Sequence, residues 1–117
     1  MAIPQYADEG VYKYMVKLCE LAGVPVQYTN IDNEIYARTR EFGEIQMPMD
    51  DCFDSDEHAT MVLGHELGHH LLKMFYVDTE FINPDTDKPL NTMIESQCDF
   101  VGVVLYKLAE MIAKKPY

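Results

Sequence analysis

The spacing of hydrophobic and polar positions along the chain predicts three helices. The first runs from about Asp8 to Ala22, where apolar side chains recur at helical intervals, and Gly23 provides a stop signal. The second runs from about Asp56 to Phe75, and the third from about Leu90 to Ala113. The third helix has an apolar stripe that repeats every three or four positions, formed by Ile94, Cys98, Val101, Leu105, Leu108 and Ile112.

Between the first two helices, short runs of β-favouring residues predict a small twisted sheet of about three strands. The candidate strands are Val24 to Tyr28, Ile35 to Arg40 and Glu44 to Met47. Gly43 lies between the second and third runs and favours a hairpin or tight turn there.

Two polar segments separate the remaining elements. Acidic residues dominate positions 50–56, where Asp54 or Ser55 could cap the second helix. Positions 76–90 are predicted to form a polar connection, because they contain the turn signal Asn83-Pro84-Asp85. The order helix, sheet, helix, helix predicts a single α+β domain over residues 1–117, with the helices on one face of the sheet.

The predicted second helix carries the segment His65-Glu66-Leu67-Gly68-His69. Histidines four positions apart project from the same face of a helix, so both imidazoles can reach one zinc ion. Glu66 lies about 100° around the helix from His65, which keeps it off the ligand face. It can stand beside the attacking water, take a proton from it and deliver that proton to a leaving amine. Gly68 would let another segment approach the helix closely.

An ordinary helix with two chance histidines would give the same pattern, because the motif specifies only three positions. The context favours the metal. The motif lies on a predicted helix with apolar residues before and after it, and a helix bearing carboxylates follows. The sequence therefore predicts Zn²⁺ as the cofactor, with Glu66 as the catalytic base.

A catalytic zinc site needs a third protein ligand and an open position. Glu95 is the predicted ligand, since the 26 residues after His69 let the chain turn back antiparallel. Asp99 shares its helical face and is predicted to orient a ligand histidine through the second ring nitrogen. Gly102 continues that face and would let the two helices pack closely. Two alternatives stay open. In the first, Asp99 is the ligand and Glu95 orients the histidine; in the second, both are ordinary solvent-exposed acidic residues at the start of a helix.

Four further residues are weaker candidates. Tyr76 and Tyr106 could donate a hydrogen bond to an oxyanion, but a packed aromatic ring with a wet hydroxyl is the favoured alternative for each. His58 lies two turns before His65, which predicts a position on the rim of the site. His70 follows His69 directly and is expected to point to a different face.

The composition of the chain indicates which classes of partner it could bind and in which cellular compartment it is expected. Acidic residues number 20 against 9 basic ones, for a net charge of −11. Such a chain repels nucleic acid and is better matched to a basic or extended peptide, although the charge could serve solubility alone. The three cysteines form no paired motif, which fits a reducing cytosol. Without a secretory signal pattern or the about 18 apolar residues of a membrane span, we expect a soluble cytoplasmic protein.

The motifs resemble the ImmA/IrrE family of zinc metallopeptidases over about Gly43 to Leu105. The strand Gly43-Glu44-Ile45-Gln46-Met47 is similar to the family's strand before the active-site helix. The helix segment from Leu63 to Leu72 and the segment from Glu95 to Gly102 look like the family's HExxH and glutamate segments, although Gln97, Cys98, Val101 and Gly102 replace commoner residues. The resemblance implies a minimal zincin-like fold, Glu95 as third ligand, and cleavage of a regulatory protein such as a repressor.

Three functions are compatible with these residues. A zinc peptidase acting on a protein or peptide is the leading hypothesis, and the presence of Glu66 favours it. The alternative is a non-catalytic zinc protein that binds or regulates a partner, for example one encoded by a phage or mobile element. A zinc hydrolase acting on something other than a peptide is the third. Turnover of peptides, compared with stoichiometric binding, distinguishes the first two.

Overall fold

The computed structural model describes residues 4–8, 10–30, 38–39, 43–49, 53, 55–73 and 84–114, with backbone alone for 8, 38–39 and 84–91. Its elements are a 3₁₀ turn at Gln5–Asp8, helices α1 (Tyr12–Leu21), α2 (Asp56–Leu72) and α3 (Pro84–Lys114), and strands β1 (Val26–Thr29), β2 (Arg38–Thr39) and β3 (Ile45–Pro48). This mixture of helices and one small sheet confirms the predicted α+β class.

The three described strands form one sheet in the order β1-β3-β2. Strand β1 runs parallel to β3, with Val26 opposite Ile45. Strand β2 runs antiparallel to β3, with Thr39 opposite Ile45. The antiparallel pair agrees with the turn predicted at Gly43, and the sheet has the expected size in the part of the chain that is described.

Helix α1 begins at Tyr12, so the predicted start at Asp8 was wrong. Gly10 interrupts the helical conformation with φ +55°, and the Asp56 carboxylate occupies the space that a Cβ at this position would need. The predicted end is confirmed. Gly23 has φ +75°, and the Val24 N–H donates to the Cys19 carbonyl at 2.9 Å, which is a Schellman ending.

Helix α2 begins at the predicted position because its first turn is capped. Ser55 precedes the helix and its Oγ accepts a hydrogen bond from the His58 N–H at 3.1 Å. The negative charges of Asp56 and Glu57 in the first turn stabilise the helix by interacting with the positive end of its dipole. The helix ends at Leu72, where Lys73 adopts φ 54°; the predicted end at Phe75 lies outside the described residues.

Helix α3 begins at Pro84, six positions before the predicted start at Leu90. The segment Asn83-Pro84-Asp85 suggested a turn, but proline is also well suited to the first position of a helix, where its missing N–H has no intrahelical partner. The predicted polar connection over 76–90 is therefore wrong for its last seven residues.

The core lies where α1, α2 and β3 meet, and α2 contacts both α1 and α3. The buried face of α3 differs from the predicted stripe. Ile94 and Cys98 are buried as expected, whereas Leu108 is 43% exposed and Ala109 is fully buried. Among the described residues, no helix combines the length and the apolar character required to cross a bilayer.

Candidate metal centre

Helices α2 and α3 approach so closely at their crossing that a side chain at either of two glycines would be crowded. A Cβ on Gly102 would lie 2.9 Å from the His65 backbone nitrogen, and one on Gly68 would lie 3.1 Å from the Cys98 carbonyl oxygen. Gly68 follows His65 on α2, whereas its partner Cys98 precedes Gly102 on α3. The two helices are therefore antiparallel. The close approach expected at Gly68 and Gly102 is confirmed.

Gly64 completes this contact and was not singled out from the sequence. A Cβ there would lie 3.1 Å from the Gly102 carbonyl oxygen and 3.0 Å from the Met15 methyl group. Its four-residue spacing from Gly68 places both glycines on one face of α2, and this spacing was the available signal.

The crossing brings the three predicted ligands together. One donor atom each from His65, His69 and Glu95 lies within 4.8 Å of the other two. The shortest contacts join His65 Nε2 to the Glu95 carboxylate at 3.2 Å and His69 Nε2 to Glu95 Oε1 at 3.4 Å. The two imidazole rings are 5.0 Å apart between centroids. The group contains no other described His, Cys, Asp or Glu.

Asp99 lies against the other nitrogen of His65. The distance between His65 Nδ1 and Asp99 Oδ1 is 2.5 Å, while His65 Nε2 faces Glu95. A proton on Nδ1 that is donated to the carboxylate leaves the Nε2 lone pair directed toward the group of donors. The contacts therefore fit the predicted roles better than the exchanged roles, because Asp99 is not among the three grouped donors.

Two titratable groups at the centre have shifted pKa values. Burial raises the pKa of Glu66 to about 7, with His65 opposing the shift and Glu95 adding to it. Burial lowers the pKa of His65, but the Glu95 charge and the Asp99 hydrogen bond outweigh it, so the net shift is upward. Glu66 thus has a pKa suited to proton exchange near neutrality.

Cys98 lies on α3 between the two carboxylates but contributes no anionic sulfur. Burial, followed by the charges of Glu95 and Glu66, raises the pKa of its thiol to about 11. The thiol is therefore neutral at physiological pH in the metal-free protein. Cys98 packs against Gly68 and serves the helix contact.

Tyr106 is brought to the opposite end of α2 from His69. It belongs to the hydrophobic core cluster, and burial together with the charges of Glu57 and Glu110 raises the pKa of its hydroxyl. Glu57 lies eight residues before His65, about 12 Å along the helix. This position agrees with the packed-aromatic alternative. Tyr76, the other candidate oxyanion donor, lies outside the described residues.

The two remaining histidines are not part of the grouped donors. His58 packs edge-on against Phe53, with 5.2 Å between ring centroids. His70 has its pKa lowered by burial and by the neighbouring charges of His69 and Lys73. The rim position of His58 and the different helical face of His70 stay predictions.

The three grouped donors could hold a metal ion, and their types can be compared with those that each metal prefers. Zinc binds imidazole nitrogen and carboxylate oxygen at about 2.0–2.2 Å, so neighbouring ligand atoms of a tetrahedral site lie about 3.3 Å apart. The contacts of Glu95 with the two histidines, at 3.2 and 3.4 Å, are close to this separation, and all three donor atoms lie within 4.8 Å of one another. Calcium and magnesium prefer oxygen ligands throughout, which two imidazoles do not supply. The arrangement could hold a metal ion.

Comparison with known proteins identified no relative. No protein-family model, no curated protein and no solved structure matches the chain.

Proposed function

We propose that the chain is a zinc-dependent metallopeptidase, with the ion held by His65, His69 and Glu95. The observation that carries the proposal is the grouping of these three donors across two helices, within 4.8 Å of one another. Asp99 supports it by fixing the ring of His65 through Nδ1. Three protein ligands leave one position of a tetrahedral site open, as catalysis requires.

Glu66 is the general base of the proposed reaction. A bound zinc ion would polarise the scissile carbonyl and acidify the attacking water. The Glu66 carboxylate takes a proton from that water as the carbon–oxygen bond forms. It then gives the proton to the amide nitrogen as the carbon–nitrogen bond breaks, so one side chain serves as base and then as acid. A pKa of about 7 in the metal-free protein suits this exchange.

The resemblance to the ImmA/IrrE family and the zincin-like fold belong to the same proposal. The α+β class and the antiparallel pairing of the motif helix with the glutamate helix support them. The net charge of −11 supports a basic or extended peptide as substrate, because the field of the whole chain attracts cations. A regulatory protein such as a repressor is the substrate that the resemblance implies.

The test is cleavage by the zinc-loaded protein of a proteome-derived peptide library, read by mass spectrometry. We expect new peptide termini that appear with time at substoichiometric enzyme. A chelator should abolish them, and restored zinc should bring them back. One bound zinc per chain without any cleavage would contradict the peptidase proposal and support the non-catalytic binding protein.

Removal of Asp99 is expected to weaken zinc binding without abolishing it. Asp99→Ala should lower the zinc affinity by about 10- to 100-fold, because the His65 ring loses the partner that orients it. Asp99→Asn should lose less, since its amide oxygen can still accept the Nδ1 proton. Competition titration with a chelator measures both, and wild-type affinity in Asp99→Ala would remove the residue from the centre.

A further inference from the structure

The contact between Gly102 and His65 joins the two halves of the proposed metal centre. The position of a Cβ on Gly102 would be 2.9 Å from the His65 nitrogen and 3.2 Å from the His65 Cα. Both atoms belong to the backbone of α2, which cannot move aside as a flexible side chain can. Any side chain at position 102 therefore has to push α3 away from the residue that carries a proposed ligand.

The same two helices carry the polar contacts of the centre. His65 on α2 reaches Asp99 at 2.5 Å and Glu95 at 3.2 Å, both on α3. These carboxylates precede Gly102 by one and two turns on the same helical face. A displacement of α3 at Gly102 therefore changes the separation between His65 and its partners. Metal–ligand distances tolerate only about 0.2 Å, and functional geometry about 0.5 Å.

We infer that Gly102 is a positioning residue of the metal centre, which sets the distance from His65 to Glu95 and Asp99 through the absence of a side chain. The inference rests on the proposed zinc site. It predicts that even the smallest side chain, the methyl group of alanine, impairs metal binding. Helix propensity would act in the opposite direction, because alanine favours the helical conformation over glycine.

The decisive variant is Gly102→Ala, compared with Gly64→Ala and Cys19→Ala. Gly64→Ala perturbs the same crossing from α2, with its Cβ 3.1 Å from the Gly102 carbonyl oxygen. Cys19→Ala is the stability control, since Cys19 is fully buried in the core on α1. Each variant is measured for zinc affinity by chelator competition, for Tm, and for the His65 Nδ1 proton by nuclear magnetic resonance of the metal-free protein.

We expect Gly102→Ala to lose about 10- to 100-fold in zinc affinity and to lose or shift the Nδ1 proton signal, with a smaller loss in Gly64→Ala. Cys19→Ala should lower Tm while keeping both the affinity and the signal. Wild-type affinity and signal in Gly102→Ala would overturn the inference. So would an equal loss of affinity in a Cys19→Ala protein of the same Tm, because binding would then follow stability alone.

The inference about Gly102 can also be tested if the Gly102→Ala variant does not fold or if the wild type binds no zinc. If Gly102→Ala does not fold, Gly64→Ala takes its place, and wild-type affinity and signal in that variant would overturn the inference. If the wild type binds no zinc, the proposed function fails. The Nδ1 proton of the metal-free variants then decides the inference alone, with loss supporting it and retention overturning it.

Discussion

Replacement of Glu66 by glutamine is expected to leave one zinc bound per chain and to lower peptide hydrolysis by about 10²- to 10⁴-fold, the contribution of a positioned general base. Glutamine keeps the size and the hydrogen-bonding capacity of the side chain but cannot take a proton from the attacking water. Glu66 is not among the three grouped donors, so its replacement spares the ligand set. Initial rates with a cleaved peptide, together with metal analysis, measure the two effects separately.

Glu57→Gln provides the matched control. It makes the same chemical change on the same helix, in the first turn of α2 and at an exposed position. Its rate should equal that of the wild type. An unchanged rate in Glu66→Gln would exclude this residue as the base. Loss of zinc from Glu66→Gln would instead show that the carboxylate supports the metal itself.

The grouping of His65, His69 and Glu95 could be predicted because it depends on local rules and on one loop length. Two histidines four positions apart share a helical face whatever the tertiary structure. The 25 residues between His69 and Glu95 leave enough chain to reverse direction. The separation of the donor atoms, within 4.8 Å of one another, required the structure.

The buried face of α3 could not be predicted from hydrophobicity. Leu108 was assigned to the core, yet it is 43% exposed, whereas Tyr106 is only 9% exposed and Ala109 is fully buried. The physical reason is the glycine contact with α2. Where backbones approach this closely, small residues fill the interface, and larger apolar side chains lie on other faces of the helix. Leu108 is more hydrophobic than Gly102 and Ala109. A prediction from hydropathy therefore places the buried stripe of α3 on a face that is rotated from the one observed.

The starts of α1 and α3 were not predicted correctly, because the residues near each of them are compatible with more than one local structure. Pro84 is favourable both in a turn and at the first position of a helix, and the sequence alone does not choose between them. At the other end of the chain, Asp8 has the charge expected at a helix start. Gly10 with φ +55° separates it from α1, and the packing of Asp56 against that glycine depends on tertiary contacts.

Removal of Glu95 is expected to have the largest effect on the metal. Glu95→Ala deletes the donor whose carboxylate lies 3.2 Å from His65 Nε2 and 3.4 Å from His69 Nε2. The two histidines alone supply two of the three protein ligands that a catalytic zinc site needs. We therefore expect zinc affinity to fall by more than the about 100-fold upper limit for the loss of an outer partner, and hydrolysis to disappear with the ion.

The matched control is Glu110→Ala, which removes a glutamate from the same helix where it pairs with Lys107 and Lys114 instead. Solvent-exposed pairs of this kind contribute at most about 1 kcal/mol, so zinc affinity should not change. The ranking against Asp99→Ala is decisive, since both carboxylates contact His65 but only Glu95 also reaches His69. A larger loss of zinc in Asp99→Ala than in Glu95→Ala would identify Asp99 as the third ligand instead, because loss of a direct ligand costs more affinity than loss of an outer partner.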